Sequence, residues 1–216
     1  MPCKNLHPRN SNQPNLPSDN NLVWHNGLIT RTDRARLNRH ASAVLWFTGL
    51  PGAGKSTLAH AVEKELFKRG IHAYVLDGDN VRHGLNADLD FQRQHRRENL
   101  RRVVEVAKLF ADAGIIVISA FISPYAADRE FARQRLAEDA FFEIFVKCSL
   151  EECMHRDPKG HYARARKGLI QNYTGISAPY EAPENPDLII DTQLTTLERS
   201  TQQILDFLER HGLFKL

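Results

Sequence analysis

Ala43-Val44-Leu45-Trp46-Phe47-Thr48 runs without a break into Gly49-Leu50-Pro51-Gly52-Ala53-Gly54-Lys55-Ser56-Thr57, and the fold is read from that junction. The first part is a continuous apolar run, as a strand buried on both faces requires. The second fits Gly-x-x-x-x-Gly-Lys-Ser, where glycines let the backbone turn tightly and bring its N–H groups onto phosphate oxygens. Beyond it, Leu58, Val62 and Leu66 recur at helical spacing as far as Arg69, and Gly70 supplies a C-terminal cap. A helix starting near Lys55 points the positive end of its dipole at the same anion. Strand, loop and helix together are the setting this motif needs. Lys55 then brings a cation to the β- and γ-phosphates, and Ser56 offers a hydroxyl to the Mg²⁺ that bridges them. The expected phosphate-binding residues are Gly49, Leu50, Pro51, Gly52, Ala53, Gly54, Lys55, Ser56 and Thr57, with ATP and Mg²⁺ as the ligands implied. No Asn-Lys-x-Asp guanine-reading motif is present, and the chain is short for a motor ATPase, which leaves a small ATP-dependent kinase.

Outward from the loop, apolar runs at 73–76, 115–120, 141–146 and 188–190 alternate with helical patterns at 96–113, 127–137 and 196–210. That alternation predicts an α/β three-layer fold, a parallel sheet with helices on both faces. Residues 157–186 hold Gly, Pro and many basic side chains with weak periodicity, and predict a mobile lid. Residues 1–20, rich in Asn, Pro and Ser, cannot bury enough surface to offset chain entropy, so a disordered tail precedes one domain at 21–216.

Bulk properties exclude several classes. The 216 residues carry a net charge of +3, which suits an anionic ligand but is too weak to argue for nucleic acid. Cys3, Cys148 and Cys153 form no Cys-x-x-Cys pair, so no disulfide framework or zinc site is expected and the setting is a reducing cytoplasm. Cys148 reads as a small buried apolar residue at a strand end. No apolar run is long enough to cross a membrane.

A second constellation lies where the other strands end, the edge at which such sheets bind ligands. Leu76-Asp77-Gly78-Asp79-Asn80 places two carboxylates there. They can hold Mg²⁺ through water and accept the proton of an attacking hydroxyl, with Asp79 the better candidate; the alternative is a polar turn. Arg82, Phe91, Arg96 and Asn99 follow. Arg96 and Asn99 share a helix face, and guanidinium groups beside a ring suit a nucleotide. Arg93, Arg97 and Arg101 read as a solvated face. Ser123, in Ala120-Phe121-Ile122-Ser123-Pro124, stands at the same sheet edge as a substrate contact, a helix cap or a phosphoryl carrier. Two other readings remain open here, a small kinase with a sugar or nucleoside acceptor and a non-catalytic nucleotide sensor.

These pieces together resemble adenylylsulfate kinase. The matching segments include Asn21-Leu22-Val23-Trp24-His25, Asp77-Gly78-Asp79-Asn80-Val81-Arg82-His83-Gly84-Leu85, Arg97-Glu98-Asn99, Phe121-Ile122-Ser123-Pro124, Arg156-Asp157-Pro158-Lys159-Gly160 and Tyr180-Glu181-Ala182-Pro183-Glu184. The resemblance implies transfer from ATP to the 3′-hydroxyl of adenylyl sulfate (adenosine 5′-phosphosulfate), a step of sulfate activation. It implies an acceptor site of Asp77, Arg82, Phe91, Arg96, Asn99, Ile122 and Ser123, with Lys159 and Tyr173 in the lid. It makes Lys55, Asp79 and Ser123 the catalytic set, Ser56 and Asp79 the metal ligands, and Ser123 a phosphoserine candidate. A homodimer and functional coupling to ATP sulfurylase are implied as well. The chain departs from the family pattern at Ala163, where Lys is usual, at Tyr173 for Phe, at Ser177 for Asp and at Asp90 for Gly.

Overall fold

A computed structural model describes residues 23, 25, 27–136 and 140–214. The expected tail at 1–20, the segment residues Asn21, Leu22 and Trp24, and the expected helix end at Ala137 lie outside the described residues. The sheet has the strands β1 (Ala43–Thr48), β2 (Ala73–Asp77), β3 (Ile116–Ala120), β4 (Phe141–Lys147) and β5 (Leu188–Asp191). They pair in parallel in the order β2-β3-β1-β4-β5. The main helices are α1 (Arg31–Asn38), α2 (Lys55–Lys68), α4 (Arg93–Asp112), α5 (Ala126–Arg135) and α8 (Leu197–Arg210). Three short ones are α3 (Gly78–Arg82), α6 (Leu150–Arg156) and α7 (His161–Arg166).

The central position of β1 follows from its apolar run. Strand side chains alternate between faces, and here each face meets a helix layer. Leu45 and Phe47 join α2 and α8 in one core. Val44 and Trp46 join α4 and α5 in the other. Each fully buried large side chain of this kind stabilises the fold by about 1.5–3 kcal/mol. The chain leaves β1 for one side of the sheet and later crosses to the other for β4. The loop after β1 therefore sits at the point where strand order reverses, where a crevice opens beyond the carboxyl ends of the strands.

The expected strands and long helices are present. Helix α4 starts three residues before the expected Arg96. Four helices have no counterpart in the periodic reading. Helix α1 carries a capping box: the Thr30 hydroxyl accepts from the Asp33 N–H, and the Asp33 carboxylate accepts from the Thr30 N–H. In α3, Asp77 is a helix N-cap, so Asp-Gly here starts a helical turn. Ser149 caps α6. The expected lid is more ordered than a loop, since α7 lies inside it with the Asp157 carboxylate accepting from the N–H groups of Tyr162 and Ala163.

His40, three residues before β1, bonds the residue that precedes β2, two positions away in the sheet. It is buried, and its Nε2 accepts from the His72 backbone N–H at 3.1 Å, which leaves the ring proton on Nδ1 facing the Ala41 carbonyl at 3.0 Å. Burial pushes its pKa below the ordinary 6.5. The unfolded chain thus takes up this proton at a higher pH than the folded one. Stability is unaffected above about pH 6.5 and falls as pH drops below it. The denaturant midpoint is expected to decline from about pH 7.5 to about pH 5.5, and to decline less in His40→Gln.

Candidate active site

Gly49 is required by close approach. A Cβ there would collide with the Val146 carbonyl oxygen at the end of β4. Gly54 sits at φ +94 as the N-cap of α2, a conformation L side chains rarely adopt. Lys55 folds back over the loop, its Nζ donating to the carbonyls of Gly49 at 2.9 Å and Leu50 at 2.7 Å. Burial pulls its pKa down to about 8, against the opposing effect of the Cys153, Asp77 and Asp79 side chains. Among the described residues no carboxylate contacts the ammonium, which stands at the mouth of a helix N-terminus, a place that suits an anion.

The two carboxylates at the end of β2 divide their work. Asp77 is buried; it accepts from Ser56 Oγ at 2.6 Å and from the Asp79 N–H at 2.9 Å, so it orients the loop hydroxyl and caps α3. Asp79 is exposed at the cleft, and its carboxylate pairs with Lys159 of the lid. Ser56 and Asp79 offer oxygen donors, the kind a hard divalent cation takes. Among the described residues, no cluster of three or more His, Cys, Asp or Glu side chains stands ready to cage a metal.

The other end of the cleft is built on α4. Phe91 presents a largely exposed ring, with the Arg82 guanidinium 4.4 Å and the Arg96 guanidinium 6.0 Å from its centre. Arg96 also donates to the Phe91 carbonyl at 2.8 Å, the Asn172 carbonyl at 2.5 Å and Thr174 Oγ1 at 3.1 Å, which ties the start of α4 to residues 172–174. Arg82 bonds the carbonyls of Leu89 and Asp90. Asn99, buried one turn past Arg96, accepts at Oδ1 from Asn86 Nδ2. Ile122 and Ser123 form the wall after β3, and Tyr173 closes the site from the lid, its ring edge-on to Tyr162 at 5.0 Å.

All the site residues expected from the sequence except Gly49, Leu50 and Ala53 line one cleft of about 920 Å³. Gly49 and Ala53 shape the loop from behind. Leu50 faces a separate groove with residues 175–180. Of the lid's basic residues, Lys159 reaches the cleft, while Arg164, Arg166 and Lys167 do not line it. Sequence reasoning missed Thr192 and gave Arg156 no role. Thr192 Oγ1 donates to the Ala53 carbonyl at 2.8 Å, and Arg156 donates to the Thr192 carbonyl at 2.9 Å. The signal was available for Thr192, which directly follows β5 at the ligand edge of the sheet. Two departures gain an account. Ser177 Oγ accepts from the Tyr173 N–H at 3.0 Å, a bond an Asp carboxylate there would also make. Asp90 pairs with His95 and accepts from the Gln92 N–H, so its charge is engaged at the start of α4.

The family profile described as adenylylsulphate kinase matches residues 41–191. A probable adenylyl-sulfate kinase of Halalkalibacterium halodurans is 58% identical over 184 residues, covering 85% of this chain and 88% of the relative. The adenylyl-sulfate kinase of Staphylococcus epidermidis is 54% identical over 196 residues, covering 91% and 98%. Among solved structures, the Mycobacterium tuberculosis APS kinase CysC in complex with AMPPNP and APS superposes with a TM-score of 0.76 at 49% identity, covering 79% of this chain and 99% of that one.

Proposed function

The chain belongs to the adenylylsulphate kinase family and transfers the γ-phosphoryl group of ATP to the 3′-hydroxyl of adenylyl sulfate, and we propose that it does so across the single cleft between the Lys55 loop and the Phe91 platform. The observation that carries this reading is the chemistry of the two ends. Backbone amides and a buried ammonium stand at one, and an exposed ring beside two guanidinium groups stands at the other.

ATP lies on the residue 49–57 loop. Ser56 and Asp79 would hold Mg²⁺, which would supply positive charge to offset that of the phosphates; a hard cation that keeps phosphate and water ligands would need no more than this from the protein. Phe91 and Tyr173 flank the adenine of adenylyl sulfate. Arg82, Arg96 and Asn99 hold its phosphosulfate, and Ile122 and Ser123 bound its ribose. Asp79 orients the 3′-hydroxyl and takes its proton. Lys159, released from Asp79, follows the transferring charge with the lid and helps exclude water. Transfer is direct. The hydrogen bond to Ser123 Oγ comes from Trp46 Nε1, a donor and not the base a nucleophilic serine needs.

The same proposal takes residues 21–216 as one kinase unit behind a tail at 1–20, working in the cytoplasm on adenylyl sulfate supplied by ATP sulfurylase. It includes a homodimer formed through the region of α1, where Leu28, Ile29 and Leu37 are exposed.

The test is a split between the two substrates. Stacking on an aromatic ring contributes about 1–3 kcal/mol per base, so Phe91→Ala should raise KM for adenylyl sulfate by about 10- to 100-fold. KM for ATP should stay within about twofold. Equal changes in both, or none, would remove Phe91 from the acceptor site.

A further inference from the structure

Behind the acceptor wall lies an ion pair to which the reaction gives no task. Arg129 and Glu143 are both buried, with Arg129 Nε donating to Glu143 Oε1 at 2.7 Å. Glu143 also faces Arg133 at 3.6 Å, and Asp187 accepts from Arg133 and from the Glu143 N–H, each at 2.7 Å. The charges in this set balance. A pair buried so deeply is a poor source of stability, because well-packed apolar residues commonly serve as well or better. What it supplies is direction. With Nε fixed by the carboxylate, the rigid guanidinium fork delivers Nη1 to the Ser123 carbonyl at 2.8 Å.

Ser123 is where direction matters. Its φ is +38, a region that non-glycine residues rarely occupy and keep only when their surroundings impose it. Trp46 Nε1 donates to its hydroxyl at 3.1 Å, and Thr48 Oγ1 donates to the preceding Ile122 carbonyl at 2.8 Å. On the following side, the Glu181 N–H donates to the Pro124 carbonyl at 2.8 Å. Thr48 Oγ1 also reaches the Ser123 carbonyl, at 3.5 Å; Arg129 alone among these brings a full charge, and its bond to that carbonyl is much the shorter. Arg129 does not line the cleft, whereas Ile122 and Ser123 do.

We infer that Arg129, aimed by Glu143, is a positioning residue that holds Ser123 in its left-handed conformation and so sets the wall against which adenylyl sulfate is aligned. This rests on the acceptor-site reading of Ile122 and Ser123. Once the bond is lost, Ser123 relaxes toward ordinary φ, the Ile122-Ser123 wall rotates, and acceptor alignment is lost while the ATP loop is untouched.

The experiment compares R129M/E143L, which removes the pair without stranding a charge, with R129K, which keeps a buried cation but loses the fork. In each folded variant, KM for adenylyl sulfate should rise about tenfold or more, the cost of a misplaced wall. KM for ATP should stay within about twofold and the melting midpoint should hold. If the double variant fails to fold, Arg129→Lys decides. A folded variant with an unchanged KM for adenylyl sulfate, or with equal rises for both substrates, overturns the inference. Ile122→Ala separates the two levels. If it leaves that KM unchanged, the acceptor-site reading itself falls. If it raises the KM and the Arg129 variants do not, only the positioning role falls.

Discussion

Asp79→Asn is expected to lower kcat by about 10³-fold while leaving the fold intact, the middle of the range for a positioned general base. The substitution keeps the size and the backbone bond from the Asp79 N–H to Asp77. Its side chain is exposed, so no packing is lost, and its partner is a lid lysine. What disappears is the negative charge proposed to accept the 3′-hydroxyl proton and to attract the metal. A coupled ADP assay on enzyme with an unchanged melting midpoint checks this. Retention of more than about a tenth of kcat would reject the role.

Lys55→Met is expected to lower kcat/KM for ATP by about 10³-fold or more, since it removes the preorganised cation at the transferring phosphate. Two stability terms oppose each other in this variant. Losing Nζ strands the carbonyls of Gly49 and Leu50, at about 1–3 kcal/mol for a buried group left unsatisfied. Against this, the wild-type protein holds a buried ammonium whose pKa is pulled from 10.5 to about 8, a cost on the order of 3 kcal/mol for the charged form. The terms are of similar size, so the midpoint should move little while activity collapses. Thermal unfolding measured beside kinetics separates them. Near-normal kcat/KM would mean the loop amides alone carry the phosphate.

The sequence was most legible where geometry is dictated locally. A strand buried on both faces must be apolar throughout, and a loop that passes the Val146 carbonyl must have glycine at position 49. Both requirements are visible in single letters. The division between Asp77 and Asp79 was half legible. Two carboxylates at the sheet edge could be read, but which is buried depends on α3, a helix too short to show periodicity. The same limit hid α6 and α7. Helix α1 is different, because Thr30 and Asp33 stand at capping-box spacing and announce it. Thr192 could have been read from its place directly after β5, but Arg156 reaches the loop only through Thr192, a tertiary contact between segments far apart in the chain that no local pattern encodes. The arginines beside Phe91 could be read by residue type. That Arg96 also grips the lid at Asn172 and Thr174 required the fold.

Two nucleotides are proposed to meet head-on in one cleft. The most direct measurement incubates the purified full-length chain with Mg²⁺, ATP and adenylyl sulfate, separates the nucleotides, and locates the new phosphate by phosphorus NMR. The prediction is ADP and 3′-phosphoadenylyl sulfate in equal amounts, with ADP formation dependent on adenylyl sulfate. ADP released at the same rate without the acceptor, or phosphate found elsewhere than the 3′-oxygen, would contradict it.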